Sequence, residues 1–164
     1  MNREQTLNIS TSKGNWLIAI KPCNRERDGQ FIRELTKQSC FDYLNNTIGW
    51  NEEIHRQEPR FPERYLILFE QNKCIGFLSL RSQIHSLYLE TLQLIPEYRR
   101  RGIGAKLLVF IEDIAREQKK AKIRLRVING NPARSLYYRN GFKVVEEQEW
   151  CILMEKVLQT HLIT

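Results

Sequence analysis

Hydrophobic positions recur along the chain with two periods, and together they predict an α/β domain with a mixed, twisted central sheet flanked by helices. Helical spacing predicts one helix over 103–118, a helical region over 25–46 broken near Ser39, and a short helix after Asn131. The segment 49–60 fits a short helix or a loop. Alternating or continuous apolar runs predict strands at 16–21, 65–70, 74–80, 87–95, 123–128, 142–147 and 150–156.

The segment between the strand that ends at Ile95 and the helix that begins at Ile103 is rich in arginine and glycine, and it reads Tyr98-Arg99-Arg100-Arg101-Gly102-Ile103-Gly104-Ala105. Glycine lets a backbone approach a ligand, and the first N–H groups of a helix are unpaired at its positive end. The pattern therefore favours a phosphate site, with a tight turn carrying solvated arginines as the alternative. A Walker A loop is excluded because no Lys-Ser/Thr pair follows Gly104, and a dinucleotide fingerprint because Leu107 replaces its third glycine.

A second motif lies downstream and reads Asn131-Pro132-Ala133-Arg134-Ser135-Leu136-Tyr137-Tyr138-Arg139-Asn140-Gly141-Phe142. Here Asn131 is a predicted helix N-cap, Pro132 a first-turn residue and Gly141 a left-handed stop. The two motifs, in this order, resemble the pyrophosphate loop and the Asn-Pro-Ala…Leu-Tyr…Gly-Phe segment of the GNAT superfamily of acyl-CoA-dependent N-acyltransferases. The resemblance covers roughly 65–142 and implies the GNAT fold, in which a splayed, bulged strand pair holds acetyl-CoA.

The resemblance also implies a set of site residues. Acetyl-CoA would be the co-substrate, and the reaction needs no metal. The cofactor-binding groups would lie on the end of one strand, which acts through its backbone, on the Arg/Gly-rich turn and on the short helix: Leu92, Gln93 and Leu94; Arg99, Arg100, Arg101, Gly102, Ile103, Gly104 and Ala105; and Asn131, Arg134 and Tyr137.

The strand over 87–95 changes the parity of its apolar residues. They fall on odd positions at Leu87 and Leu89 and then on even positions at Leu92 and Leu94. One inserted residue would produce this change, so we expect a β-bulge near positions 90 and 91. A strand buried on both faces is the alternative, because parity then carries no information.

Amide formation needs a proton acceptor and a proton donor. An amine near neutral pH is mostly ammonium and must lose a proton before it attacks the thioester, whereas the departing thiolate benefits from gaining one. Glu90, at the expected bulge, is the candidate base, with an ordinary exposed carboxylate as the alternative. Tyr137 matches the family's general-acid tyrosine, with a core aromatic as the alternative, and Tyr138 is expected to be a core aromatic. His55 is interpreted as a surface histidine or a substrate contact, and His85 as a turn residue.

Charge is unevenly distributed in this chain of 164 residues with a net charge of +7. Residues 97–143 contain 13 Lys or Arg against 4 Asp or Glu, and the remainder contains 13 against 15. Coenzyme A is a polyanion and explains this excess, so we expect no nucleic-acid partner. The acceptor should be cationic if several of the carboxylates in the remainder line its cleft: Glu52, Glu53, Glu58, Glu63, Glu70 and Glu90.

Composition gives a few further expectations. Residues 1–15 are interpreted as a polar N-terminal extension, and 16–164 as a single domain. A cytoplasmic protein with no membrane partner is expected, because no signal pattern or membrane-spanning run occurs. The four cysteines are scattered without a Cys-x-x-Cys pair, which favours reduced and mostly buried thiols.

The sequence thus predicts a GNAT enzyme that transfers acetyl from acetyl-CoA to a primary amine by direct attack, without an acyl-enzyme intermediate. We expect a small-molecule or cationic amine as acceptor. A protein N-terminus or lysine is the alternative acceptor, and a non-catalytic acyl-CoA-binding regulatory module is the alternative function. A homodimer is left open. Specificity should depend on segments outside both motifs, roughly 41–61 and the last two strands.

Overall fold

The computed structural model describes residues 4–159 and contains eight strands that form one mixed sheet. Two turns of 3₁₀ helix, Pro62–Arg64 and Pro96–Tyr98, lie between the larger elements. In chain order the strands and α-helices are β1 Gln5–Thr11, β2 Gly14–Pro22, α1 Arg25–Thr47, α2 Glu52–Arg56, β3 Tyr65–Glu70, β4 Lys73–Ser82, β5 Ser86–Leu94, α3 Ile103–Glu117, β6 Lys122–Ile128, α4 Ala133–Arg139, β7 Lys143–Glu147 and β8 Cys151–Val157.

The strand order in the sheet is β1-β2-β3-β4-β5-β6-β8-β7. Three antiparallel pairs join the first four strands: β1 with β2, β2 with β3, and β3 with β4. Strand β5 pairs with β6 in parallel, which requires the crossover helix α3 between them. Strand β8 lies antiparallel between β6 and β7. This arrangement confirms the predicted mixed α/β fold.

The chain divides into two compact units. The first contains the residues up to Ser79 together with Thr91–Gly104. Its core joins α1 to the sheet through four buried side chains, Ile32, Leu35, Ile67 and Phe77. Burying apolar side chains of this size is the main stabilising contribution to such a core.

The second unit contains Leu80–Glu90 and the residues from Ala105 onward. Helix α3 buries one apolar face, formed by Leu107, Leu108, Ile111, Ile114 and Ala115. Glu112 is also buried on this helix, and it forms ion pairs with Arg116 and Lys156. A buried carboxylate needs such partners, because removing an unpaired charge from water is costly.

The predicted elements agree with the observed ones to within about two residues, with two exceptions. Helix α1 is continuous from Arg25 to Thr47, so the predicted break near Ser39 is wrong. A strand also occupies part of the expected polar extension. Strand β1 pairs with β2 along its whole length, buries Ile9 and half-buries Leu7, and these two apolar residues are difficult to recognise as a strand among polar neighbours. Residues 1–3 lie outside the described part of the chain.

Candidate active site

The Arg/Gly-rich turn of the first unit connects the 3₁₀ turn at Pro96–Tyr98 to α3. Arg100 and Gly102 both have left-handed backbone conformations, with φ of 57° and 83°. Within residues 4–159, the backbone N–H groups of Arg100, Arg101 and Gly102 donate no hydrogen bond. Consecutive unpaired N–H groups beside a helix N-terminus form a concave site with positive potential. The turn from Tyr98 to Ala105, called the phosphate turn below after the site that the sequence predicts there, therefore has the donors that an anion requires.

The three arginines of this turn have different environments. Arg99 donates from Nε to the carbonyl of Leu94 at 2.7 Å and from Nη2 to Ser39 Oγ at 2.9 Å. Its guanidinium therefore connects the end of β5 to α1. The guanidinium of Arg101 lies 5.9 Å from the centre of the Tyr98 ring, and Arg100 is exposed. Arg100 and Arg101 are thus the two arginines that are better suited to binding an external anion.

The end of β5 approaches β4 very closely. A Cβ atom added to Gly76 would lie 2.2 Å from the carbonyl oxygen of Gln93. The side-chain amide of Gln93 donates from Nε2 to Thr91 Oγ1 at 3.1 Å, whereas its buried Oε1 has no hydrogen-bond partner among the described residues. Leu94 accepts through its carbonyl from Arg99, and Leu92 is half-buried. The end of β5 is therefore held by its close packing against Gly76 of β4 and by the hydrogen bond from Arg99 to the Leu94 carbonyl.

The first half of β5 is buried on both faces, whereas the sequence predicts that its apolar residues alternate with exposed ones. All four residues of Ser86–Leu89 are buried, so the alternation of apolar residues carries no information about the faces of this half. Its parallel pairing with β6 covers these same four residues and stops one residue before Glu90. A bulge near positions 90 and 91 stays a prediction.

Glu90 is exposed in the second unit, and it forms an ion pair with Arg81, whose Nε lies 2.9 Å from Oε1. The Arg81 guanidinium also lies 5.0 Å from the centre of the Tyr88 ring. Exposed ion pairs of this kind contribute only about 0.2–1 kcal/mol. Arg81 therefore orients the Glu90 carboxylate through an ion pair that can be broken at low cost.

Helix α4 presents its two tyrosines to different environments. Tyr137 is buried and contacts Phe142 edge to face, with ring centres 5.7 Å apart. Tyr138 is 45% exposed, and its hydroxyl accepts a hydrogen bond from Arg134 at 2.9 Å. The expectation that Tyr138 is a core aromatic is therefore wrong. On a helix, consecutive residues point about 100° apart, so only one of the pair can face the core.

The ends of α4 show the predicted capping chemistry with a shift of one residue. Asn131 Oδ1 accepts from the backbone N–H of Ala133 at 2.9 Å, but the helix itself begins at Ala133, which makes Pro132 the N-cap residue. Gly141 ends the segment with a φ of 87°, as predicted. Asn131, Arg134 and Tyr137 thus belong to one short segment of the second unit.

Both motifs lie in a segment that matches a known family. The sequence profile of the acetyltransferase (GNAT) family matches residues 30–142, which is more than half of the chain. The chain belongs to this family. Membership agrees with the predicted resemblance and with the mixed sheet described above.

Relatives within the GNAT family include a spermidine N(1)-acetyltransferase from Thermoplasma acidophilum. It is 34% identical over 105 residues, which cover 63% of this chain and 65% of the relative, so the match spans less than two thirds of that protein. A thialysine N-epsilon-acetyltransferase from Sus scrofa is 24% identical over 149 residues, covering 80% of this chain and 88% of the relative.

A solved structure gives the corresponding comparison of folds. The crystal structure of the PaiA N-acetyltransferase from Thermoplasma acidophilum in complex with coenzyme A has a TM-score of 0.70 and 27% sequence identity to this chain. The match covers 86% of this chain and 99% of that one. The chain therefore has the GNAT fold over most of its length.

The carboxylates expected near a cationic acceptor are largely engaged by this GNAT chain's own side chains. Glu58 accepts from the Tyr65 hydroxyl at 2.8 Å, and Glu70 accepts from the hydroxyl of Tyr98, whose pKa this hydrogen bond raises. Glu52 accepts from Trp50 Nε1 at 2.7 Å and from Lys37. Glu52, Glu58 and Glu70 thus have side-chain partners within the protein, and the expectation that several of the carboxylates line an acceptor cleft stays a prediction.

His55 lies beside a groove between α1 and α2, with a volume of about 160 Å³. Its ring stacks on Trp50 with ring centres 3.9 Å apart, and its buried Nδ1 has no hydrogen-bond partner among the described residues. Burial lowers the pKa of His55 below its ordinary value, because the charged form is poorly solvated there. His55 is therefore a half-buried, neutral histidine at neutral pH rather than a fully exposed one.

The four cysteines are free thiols. Burial raises the pKa of Cys23 to about 11 and that of Cys74 to about 12, so both are protonated and poorly reactive at neutral pH. Residues 4–159 hold no group of three or more His, Cys, Asp or Glu side chains arranged to bind a metal ion. None of the helices in this range combines the length and apolar character that crossing a membrane requires.

Two residues that contact the phosphate turn were missed by the sequence analysis. Thr11 Oγ1 donates to the carbonyl of Arg101, and Lys13 Nζ donates to the carbonyl of Arg100, each at 2.8 Å. Both lie at the β1–β2 turn, within the stretch interpreted as an extension. Gly14, with a φ of 140°, was the available signal for a turn at this point.

Proposed function

We propose that the chain is an acetyl-CoA-dependent N-acetyltransferase that acetylates a primary amine by direct attack. The observation that carries this proposal is the conformation of the turn in a GNAT family member. Among residues 4–159, the three consecutive N–H groups of Arg100, Arg101 and Gly102 have no acceptor, and they precede the N-terminus of α3. Such a turn suits a pyrophosphate, which presents several acceptor oxygens and negative charge. An anion site of this kind would have little use in a protein that binds no phosphorylated ligand.

Acetyl-CoA, when bound, supplies an activated acetyl thioester. The backbone of Gly102, Ile103, Gly104 and Ala105 would donate to its pyrophosphate, and Arg100 and Arg101 would add positive charge. Arg99 would act indirectly by holding the Leu94 carbonyl. Backbone groups of Leu92 and Gln93 are proposed to bind the pantetheine arm, and Asn131 and Arg134 complete the cofactor-binding set.

Glu90 is proposed to accept the proton that the acceptor ammonium must lose. The amine nitrogen then forms a bond to the thioester carbonyl carbon, and the carbon–sulfur bond breaks. Tyr137 is proposed to donate its hydroxyl proton to the departing thiolate, so that coenzyme A leaves as the thiol. The second proton that the nitrogen loses on becoming an amide then restores the Tyr137 hydroxyl. Backbone N–H groups at the end of β5 would stabilise negative charge on the carbonyl oxygen.

A small aliphatic amine that is cationic in solution is the proposed acceptor. The two named relatives are a spermidine N(1)-acetyltransferase and a thialysine N-epsilon-acetyltransferase, and both names specify an aliphatic primary amine. A cytoplasmic location is proposed with it, because acetyl-CoA and such amines occur there. Cell fractionation tests the location, and sedimentation measures whether the chain forms a homodimer.

A thiol-release assay tests this function. The protein is incubated with acetyl-CoA and, separately, with polyamines, amino acids, aminoglycosides and peptides, and the acetylated product is identified by mass. We expect amine-dependent thiol release with one or more small amines. If only peptides are acetylated, the acceptor is a protein N-terminus or lysine and not a small amine. Binding of acetyl-CoA without turnover of any amine would contradict the enzyme proposal and favour a regulatory module.

A further inference from the structure

We propose that the β1–β2 turn is part of the cofactor site, where Thr11 and Lys13 act as positioning residues for the phosphate turn. This inference rests on the proposed function, because it assigns these residues to the binding of the acetyl-CoA pyrophosphate. Both residues lie before residue 30, where the GNAT family match begins. They would set the direction of the N–H groups that bind the anion.

The direction follows from the geometry of a trans peptide. The carbonyl of one residue and the N–H of the next lie in one plane and point in opposite directions. Lys13 Nζ binds the Arg100 carbonyl and Thr11 Oγ1 binds the Arg101 carbonyl, each at 2.8 Å. The N–H groups of Arg101 and Gly102 therefore point away from the β1–β2 turn. Two hydrogen bonds on one side of the backbone thus expose two adjacent donors on the other side.

Contact with Thr11 also explains why residue 102 is a glycine. A Cβ atom at Gly102 would lie 2.9 Å from Thr11 Cγ2, and the left-handed φ of Gly102 disfavours a side chain as well. Arg100 holds a left-handed conformation with no such freedom, and a conformation of this kind persists only where its surroundings enforce it. The hydrogen bond from Lys13 to the Arg100 carbonyl is such a constraint.

Thr11 is itself held in place by the turn. Its Oγ1 accepts from the backbone N–H of Lys13 at 3.1 Å while donating to the Arg101 carbonyl. One hydroxyl therefore couples the conformation of the β1–β2 turn to that of the phosphate turn. Because the Thr11 side chain is uncharged, its effect on cofactor binding can only be positional, whereas Lys13 also contributes a positive charge.

The test compares variants that change the hydroxyl without changing the charge. Thr11→Val removes the hydroxyl, Thr11→Ser restores it, and Thr6→Val makes the same substitution at an exposed position of β1 as a control. Lys13→Met and Lys13→Arg form a second pair. The readouts are calorimetric affinity for coenzyme A, kinetics with acetyl-CoA and with S-acetylpantetheine, which lacks the pyrophosphate, and the thermal unfolding midpoint.

We expect Thr11→Val to weaken coenzyme A binding about tenfold and to raise KM for acetyl-CoA with little change in kcat. Kinetics with S-acetylpantetheine should be unchanged, and Thr11→Ser should recover most of the affinity. Equal affinities for Thr11→Val and Thr6→Val would overturn the inference and leave the proposed function intact. An equal loss of kcat/KM for Thr11→Val with acetyl-CoA and with S-acetylpantetheine would also overturn it. If Thr11→Val fails to fold, Thr11→Ala and Thr6→Ala decide by the same comparison, because Lys13→Met also removes a charge. A wild-type protein that binds no coenzyme A overturns the inference and the proposed function together.

Discussion

At the scale of single residues, the burial of Tyr137 bears on its proposed role as proton donor. Its ring packs against Phe142 inside the second unit, while the neighbouring Tyr138 remains at the surface. A hydroxyl on a buried, immobilised ring has a fixed direction, which is what a proton donor needs. The sequence motif assigns this proposed role to Tyr137, but it did not predict the exposure of Tyr138, because the direction of each side chain around the helix decides that.

Tyr137→Phe removes only the hydroxyl and preserves the packing of the ring. We therefore expect kcat to fall about a hundredfold, while the affinity for acetyl-CoA changes little. Steady-state kinetics with the best acceptor measure both quantities, and Tyr138→Phe is the matched control. Full activity of Tyr137→Phe would exclude Tyr137 as the proton donor.

Glu90 makes a prediction about pH. If this carboxylate removes the acceptor's proton, Glu90→Gln should lose most activity below the pKa of the acceptor amine, where the ammonium form dominates. Raising the pH should partly restore turnover because free amine is then supplied by the solvent. The pH–rate profiles of the two proteins test this. Identical profiles would assign proton removal to water or to another residue such as His55.

At the scale of elements, most of the fold follows from periodicity. Strands β2 to β8 and helix α3 appear where alternation and helical spacing predict them. The exceptions depend on contacts between residues distant in the chain. Thr11 and Arg101 are 90 residues apart in sequence, and the contact of Arg99 with Ser39 spans 60. No local pattern reports such contacts, so the support of the phosphate turn could not be predicted.

The close approach of β4 and β5 gives an element-scale prediction. In Gly76→Ala the new Cβ would clash with the Gln93 carbonyl and with Leu94, so the strands must separate. We expect a loss of about 2–3 kcal/mol in the free energy of unfolding. Gly130→Ala is the control, because its new Cβ meets no atom within 4 Å and its positive φ alone costs about 1 kcal/mol. Urea unfolding of both variants measures the difference, and equal losses would show that the β4–β5 contact tolerates a side chain.

At the scale of the whole molecule, charge and chain organisation make separate predictions. The single-domain organisation of 16–164 stays a prediction, and coincident urea transitions followed by two different probes would support it.

The positive charge of residues 97–143 should affect the binding of acetyl-CoA. Because exposed charges are screened within about 10 Å at 0.1 M salt, acetyl-CoA should bind more weakly as salt is added.

The salt dependence should require the phosphates of the ligand. Calorimetric titrations at several salt concentrations, with coenzyme A and with pantetheine as the uncharged comparison, measure it. We expect the affinity for coenzyme A to fall several-fold between about 0.05 and 0.5 M salt and that for pantetheine to stay nearly constant. Equal affinity for both ligands at low salt would exclude Arg100 and Arg101 from an anion site.

We propose that the turn leading into α3 binds the pyrophosphate of acetyl-CoA, and calorimetric titration of two glycine variants tests this claim. Gly104→Val places a branched side chain in the first turn of α3, where the pyrophosphate is proposed to bind, and valine has no lower helix propensity than glycine. Gly49→Val adds the same side chain at a glycine with open space around it but with a left-handed φ of 82°, so this control is compared by its affinity and not by its unfolding midpoint. The claim predicts that Gly104→Val binds acetyl-CoA at least about tenfold more weakly than wild type and Gly49→Val, with its unfolding midpoint retained. A folded Gly104→Val protein with wild-type affinity would contradict it.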